Sequence, residues 1–419
     1  MLRTISRSVK LRGSFGCTSV TRAASTRAAF DWQNPFNIDN LLTEEEIAIR
    51  DVAHDYCQEK LYPRVLEAHR TEKFDKSILR EMGEIGLLGP TLQGYDCPGV
   101  SSVAYGLITR EIERVDSGFR SAMSVQSSLA MTAIYEFGTE ELKQRLLPKM
   151  AKGELLGCFG LTEPNHGSDP ASMETTARPH PTKKGVYLLS GSKTWISSSP
   201  FADILIIWAK LDGVIRGFAV ERSKAGPGQL DTPPIKNKMA LRCSLTGMIH
   251  MDNLEVAEEN MFPEVKGLKG PFTCLNSARY GIAWGVVGAL EEATRLAKEY
   301  SIDRKQFGRP LATNQLIQKK LADAMTDAAY AILPCIQVGR LKDEGHAAPE
   351  MISTIKRHNC DRALANSRTL MEVFGGNATS DEYHITRIAN NLQVVQTYEG
   401  QSDIHGLILG RAITGLASF

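Results

Sequence analysis

The chain has 419 residues, 42% hydrophobic and 23% charged, the balance of an ordinary globular protein too long for a single core. Its 49 basic and 48 acidic residues leave a formal net charge of +1, which argues against nucleic acid as the main partner. The eight cysteines include no Cys-x-x-Cys pair and read as reduced thiols of a non-secreted protein. No apolar run approaches the ~20 residues that a membrane span needs.

Residues 1–30 hold six basic side chains (Arg3, Arg7, Lys10, Arg12, Arg22, Arg27), nine Ser or Thr, and no acid before Asp31. That is the composition of a mitochondrial transit peptide, and it predicts a matrix address. Thr43 with Glu46 three residues on forms a capping box at the head of the first helix. Helical patterns follow near 76–85, over 102–115, from Arg120 to Met131 and from Thr139 to just before Gly153, so 31–156 reads as all-α. Short β-branched or aromatic runs then appear at 186–189, 204–208 and 218–220, with a hairpin signal at Asp212-Gly213. They predict a β-barrel or sandwich over 157–265. Helical periodicity returns at 276–301, 314–339, 348–374 and 380–395, which suits a four-helix bundle over 266–419. The fold class is α+β and multidomain, in the order α, β, α.

Four stretches carry chemistry. The loop from Cys158 to Asp169 is dense in glycine and hydroxyls, and its backbone N–H groups can face a planar polar ring. Lys193-Thr194-Trp195-Ile196-Ser197 adds an aromatic with a neighbouring hydroxyl. Tyr398-Glu399-Gly400 puts a carboxylate on a turn, where it can act as a general base worth roughly 10²–10⁴ in rate. Arg120 lies in an otherwise apolar helix, a costly place for a cation without a partner; Glu113, seven residues earlier, and a ligand carboxylate are both open to it. The histidines show no metal-ligand spacing, and His166 reads as a loop residue partly in solvent. A Gly-x-Gly-x-x-Gly turn, a Walker A loop and a Gly-x-Ser-x-Gly elbow are all missing, which disfavours a Rossmann dehydrogenase, an NTPase or an α/β-hydrolase.

Thr162-Glu163-Pro164 with Gly167-Ser168-Asp169, Trp195-Ile196-Ser197, Asp303-Arg304-x-Gln306-Phe307-Gly308, Phe374-Gly375-Gly376 and Tyr398-Glu399-Gly400 occur in this order. The set resembles the acyl-CoA dehydrogenase family over essentially the whole chain after residue 30. The resemblance implies an FAD cofactor, with Phe159, Leu161, Thr162, Gly167 and Ser168 lining the flavin, Trp195 and Ile196 packing on it and the Ser197 hydroxyl facing its N5. It implies further cofactor contacts from Arg304, Phe307, Gln315 and Gln401 and from Glu372, Gly375 and Gly376 at the diphosphate and adenosine half. Part of that second set comes from a neighbouring subunit in the family, which implies a homotetramer. Glu399 becomes the base for the substrate α-proton, because the other position the family uses is here Ala278. Electrons are expected to pass to electron-transfer flavoprotein.

Stretches 116–127, 276–285 and 403–415 are similar to the family members that act on glutaryl-CoA. This implies that Arg120 and Ser121 receive the distal carboxylate. Phe272, Asn276 and Arg279 then lie along the CoA moiety, with Ser168 and Gly400 near it, and oxidation is followed by loss of CO₂ to give crotonyl-CoA. The competing expectation is a short- or branched-chain acyl-CoA dehydrogenase without decarboxylation. His166, Ala378 and Gln401 depart from the family pattern, and Ser197 replaces a threonine while keeping the hydroxyl.

Overall fold

The computed structural model describes residues 29–418, so the expected transit segment lies almost wholly outside the described residues. Helix α1 (Glu44–Tyr56) opens with the predicted capping box: Thr43 Oγ1 accepts from the Glu46 N–H, and the Glu46 carboxylate accepts from the Thr43 N–H. Two short helices follow, α2 (Val65–Thr71) and α3 (Ser77–Glu84). Helix α4 (Ser102–Val115) is buried along almost its whole length, and its charged residues are paired inside the protein instead of facing water. Asp116 then caps α5 (Ser117–Ser124) by accepting from the Gly118 N–H at 2.6 Å. The helical chain runs on through a π-helical turn into α6 (Thr132–Phe137), and α7 (Glu140–Ala151) closes the region.

The middle segment contains β1 (Gly157–Gly160), β2 (Thr176–Pro179), β3 (Val186–Ser197), β4 (Ile204–Leu211), β5 (Val214–Glu221), β6 (Leu230–Asp231) and β7 (Thr246–Ala257). Asp212 (φ 51°) and Gly213 (φ 78°) both take the left-handed conformation that a tight hairpin turn between β4 and β5 requires. The expected β-barrel or sandwich segment is a β domain as predicted, and among the described residues its strands form one seven-stranded sheet. The reason is that β1 and β2 are each four residues long, so a single edge of β4 accommodates both: β1 along 204–207 and β2 along 210–211.

In the last segment, α8 (Lys269–Asp303) starts ahead of the expected position 276 and so includes Phe272. A two-strand hairpin, β8 (Lys305–Gln306) and β9 (Arg309–Pro310), leads to α9 (Gln315–Asp343), α10 (Pro349–Phe374), α11 (Ile385–Thr397) and α12 (Ser402–Thr414). The four expected helices are present as α8 to α11, and among the described residues a fifth, α12, packs on α10. Gly406 and Gly410 lie inside α12, and at about 1 kcal/mol each they hide its helical character from the sequence. Among the described residues no helix is long and apolar enough to cross a membrane.

A buried node joins the three segments. Asp116 Oδ2 accepts from Arg387 Nη1 and, at 2.8 Å, from Asn391 Nδ2, both on α11. Asn391 Oδ1 in turn accepts from the Leu241 N–H of the middle segment at 2.7 Å. Replacing Arg387 with methionine strands the buried Asp116 carboxylate. The expected cost is about 3–5 kcal/mol, read as a lower denaturant midpoint, and much of it is recovered in the double variant Asp116→Asn/Arg387→Met.

Candidate active site

The last carbonyls of a helix have no partner within it; at the end of α11 two cations bind that of Gln396 and the three carbonyls from Tyr398 to Gly400 that follow the helix. Lys356 on α10 donates from Nζ to the carbonyls of Gln396 (3.1 Å), Tyr398 (3.1 Å) and Gly400 (2.7 Å). Arg279 on α8 donates from Nε to the Glu399 carbonyl at 2.8 Å. So held, Glu399 adopts φ 53° and Gly400 φ 92°, and the chain turns back into α12. A side chain in that left-handed region costs roughly 1–2 kcal/mol, which the two clamps offset. Gly400 has a second reason to be glycine: a Cβ there would meet His405 Nε2 at 3.0 Å.

The Glu399 side chain is the outcome of this arrangement. Its Oε2 is buried and has no hydrogen-bond partner. Burial pushes its carboxyl above the usual carboxylate range, and the nearby charges of Arg120, Arg279 and Lys356 offset only part of that rise. A carboxylate that is destabilised as an anion, orphaned, and set among cations is equipped to accept a proton.

Arg120 comes from α5 and is 1% exposed. Of the two partners that the sequence left open, the one within the chain is present. Its Nε donates to Glu113 Oε2 at 2.5 Å, so the ion pair within the protein is present. Its Nη2 donates to the Tyr398 hydroxyl, and Nη1 reaches Ser124 Oγ at 3.5 Å. A guanidinium has five N–H donors, and these three bonds leave two of them unused. The pair exists because Gly285 on α8 leaves room for it: a Cβ at that position would lie 2.0 Å from Glu113 Oε2. Ser121 is buried beside Arg120 on the same helix.

The polar loop after β1 is fastened by a buried pair that sequence reading did not single out. Lys193 Nζ donates to Glu163 Oε1 at 2.8 Å and to the Leu161 carbonyl at 3.2 Å, while Glu163 also accepts from the Glu174 and Thr175 N–H groups. Burial pushes Lys193 down to about 8. Burial alone would raise Glu163, yet the Glu174 N–H and Lys193 hold it at about 2. Phe159 and Leu161 are buried, Thr162 is half-buried, and Gly167 and Ser168 are exposed. Next to this loop the β3–β7 register breaks between Lys193 and Ile196, and Trp195 stands out at φ 60° and 62% exposure. Ile196 is buried and Ser197 half-buried. An uncovered indole beside a pinned, hydroxyl-bearing loop fits the face of a planar ring system, so these residues suit the flavin that the resemblance implies.

The remaining positions divide between two ends of the last segment. Phe272 and Asn276 lie on α8 at the Arg279 end, where Asn276 Oδ1 accepts from Arg279 Nη1 at 3.3 Å, and Gln401 is exposed on the Glu399 turn. Arg304, Phe307, Gln315, Glu372, Gly375 and Gly376 are exposed at the other end, where Lys320 of α9 pairs with Glu372 of α10. At ~1.5 Å per residue, α8 carries Arg304 on the order of 35 Å from Arg279. Residues so far apart do not converge on one point within one chain. Lys356 and His405 were missed by sequence reading; Lys356 falls on the apolar stripe of α10 with Ile352, Ile355 and Cys360, and a lysine in that stripe was the available signal.

Three family models match in chain order: acyl-CoA dehydrogenase N-terminal domain over 43–154, middle domain over 158–254 and C-terminal domain over 266–414. The chain belongs to the acyl-CoA dehydrogenase family, and it is an oxidoreductase of acyl-CoA thioesters that uses FAD. It is 33% identical to an acyl-CoA dehydrogenase of Bacillus subtilis (strain 168), covering 89% of this chain and 99% of that one. It is 31% identical to a short-chain-specific acyl-CoA dehydrogenase of Megasphaera elsdenii, covering 90% and 100%. Among solved structures, a glutaryl-CoA dehydrogenase from Mycobacterium smegmatis superimposes with a TM-score of 0.89 at 40% identity, covering 93% of this chain and 100% of that one. A glutaryl-CoA dehydrogenase from Mycobacterium smegmatis in complex with FADH2 gives 0.90 at 38%, with the same coverage.

Gly285→Ala forces the Glu113–Arg120 pair apart. It is expected to destabilise the protein by about 1–3 kcal/mol, the usual scale for overpacking a core, and to lower the melting temperature, whereas Gly410→Ala, at an open position, leaves it unchanged or raised.

Proposed function

We propose that the chain oxidises glutaryl-CoA and decarboxylates the product to crotonyl-CoA and CO₂. The observation that carries this reading is Arg120: a buried guanidinium with two unused donors, bonded to Tyr398, the residue next to the base. A monocarboxylic acyl chain offers nothing to those donors, whereas a distal carboxylate would take them, with a charge-assisted bond contributing roughly 1.5–3 kcal/mol.

The steps follow from the residues. Glu399 removes the α-proton of the thioester as a hydride leaves the β-carbon. FAD, when bound, supplies the two-electron acceptor for that hydride. Phe159, Leu161, Thr162, Gly167, Ser168, Trp195, Ile196 and Ser197 would hold the flavin. The new double bond is conjugated to the thioester, so the electron pair of the bond to the carboxylate can enter it as CO₂ departs. The dienolate then takes a proton at its γ-carbon, and Glu399, whose raised proton affinity favours keeping the one it removed, returns it. Glu113 bears on this step as well. By neutralising Arg120 it limits how strongly the carboxylate is stabilised before CO₂ leaves, so ground-state binding does not oppose decarboxylation.

The same pair also favours the rival reading, since Arg120 is already compensated by Glu113 and a short monocarboxylic substrate leaves no bare cation. Anaerobic flavin bleaching with glutaryl-, butyryl- and isovaleryl-CoA, with released CO₂ measured, separates the two. Glutaryl-CoA is expected to bleach fastest and to release CO₂; bleaching without CO₂ favours the rival. Arg120→Ala is expected to weaken glutaryl-CoA turnover sharply while flavin content is retained, and unchanged kinetics would remove Arg120 from the site. Glu399→Gln is expected to lower the bleaching rate by roughly 10²–10⁴. In the native enzyme the acid limb of kcat/KM against pH should lie above the ordinary glutamate value of 4.5, since the base works only once deprotonated.

Electron-transfer flavoprotein as acceptor and a homotetramer belong to the same proposal. The oligomer is supported by Phe307, 99% exposed on the β8–β9 hairpin, and by the distance of Arg304, Gln315, Glu372, Gly375 and Gly376 from the chain's own Glu399. A mitochondrial matrix location rests on the basic, acid-free composition of residues 1–30.

A further inference from the structure

We infer that Lys356 is the positioning residue of the base: by binding the carbonyls on either side of Glu399 it fixes the turn that aims the carboxylate. The inference rests on Glu399 being the base. An ammonium has three donors, and the three carbonyls it meets, those of Gln396, Tyr398 and Gly400, bracket Glu399. Arg279 adds one further bond, to the Glu399 carbonyl itself.

Lys356 is 0% exposed, and among the described residues no carboxylate lies within ion-pair distance of it. Burying a cation without a counter-ion is unfavourable by several kcal/mol, and the bonds the ammonium makes in return, among the described residues, are those to the three carbonyls of this turn. The fixed geometry of Glu399 accounts for a lysine here. A left-handed residue at a helix end returns to commoner conformations unless its flanking peptides are held, and a base displaced by about 1 Å can lose roughly 10²-fold in rate.

The charge matters along with the geometry. The ionisable groups that face Glu399 are Arg120, Arg279, Lys356, Tyr398, Tyr105 and His405. Arg120 is neutralised by Glu113, and Arg279 is partly exposed. Burial pushes Tyr105 and Tyr398 up, so both are neutral. His405 is pushed down to about 3, by burial first and then by Lys356 and Arg279, and it stays neutral too. Lys356 is thus the fully buried cation near Glu399 without a carboxylate partner, and its field favours the ionised base.

The test compares Lys356→Met, Lys356→Gln and Glu399→Gln as full-length, FAD-loaded enzymes, measuring bleaching rate, KM, FAD content, melting temperature and the pH profile. Lys356→Gln is expected to keep FAD and a KM close to the parent's while the bleaching rate falls roughly 10²-fold. Its acid limb should move to higher pH, because losing the positive charge raises the proton affinity of Glu399 and keeps the base protonated longer. Lys356→Met should show the larger loss of rate and the same direction of shift. A folded Lys356→Gln with parental rate and an unmoved acid limb overturns the inference; so does the loss of fold and FAD in both Lys356 variants, which would make the lysine a stability residue. Glu399→Gln separates the two levels. If it bleaches at the parental rate, the base assignment itself fails; if it is inactive while Lys356→Gln is parental, only the role of Lys356 fails.

Discussion

The placement of the site depends on the buried carboxylate of Asp116. Its Oδ1 caps α5, the helix that carries Arg120, and its Oδ2 binds Arg387 and Asn391 on α11, the helix that ends at Glu399. Asn391 passes the connection to Leu241 in the middle segment. One side chain therefore fixes the distance between the arginine and the carboxylate and ties both to the sheet that bears Trp195. The carboxylate is stable in the interior because both of its oxygens accept hydrogen bonds and a cation stands beside it; an unpaired charge at that depth would cost several kcal/mol.

Around Glu399 the electrostatics run in opposing directions. Burial disfavours its charge, and three cations restore part of it. Each cation is tied up differently: Arg120 with Glu113, Arg279 with the Glu399 carbonyl, Lys356 with three carbonyls. The positive charge nearby holds backbone or is matched by a carboxylate, and none of it forms an ion pair with Glu399. That leaves Oε2 without a partner, the condition under which a carboxylate can take a proton from a weak carbon acid. The proposed second step uses the same raised proton affinity in reverse.

Much of the fold was legible in the residues. The Thr43–Glu46 box, the span of α4 and the Asp212-Gly213 hairpin are set by interactions within a few residues of chain, and they stand as the sequence predicts. The single sheet was not legible, because it depends on two four-residue strands sharing one edge of β4, a pairing of segments far apart in sequence. Helix α12 was hidden by its own glycines, whose propensity is overridden by packing on α10.

The site divides in the same way. The sequence by itself determined which groups are available: a Glu-Gly turn, an arginine in an apolar helix, a tryptophan beside a hydroxyl, and motifs in the order of one family. Those are local chemistry and need no fold to be seen. Only the tertiary structure decided what each is joined to. It selected Glu113 as the partner of Arg120, brought Lys356 and Arg279 from two other helices to the carbonyls of one turn, and put Arg304 and Glu372 at the far end of the bundle. A partner is chosen by proximity among residues tens or hundreds of positions apart, and the proton affinity of Glu399 is set by the burial that results, so neither could be read along the chain.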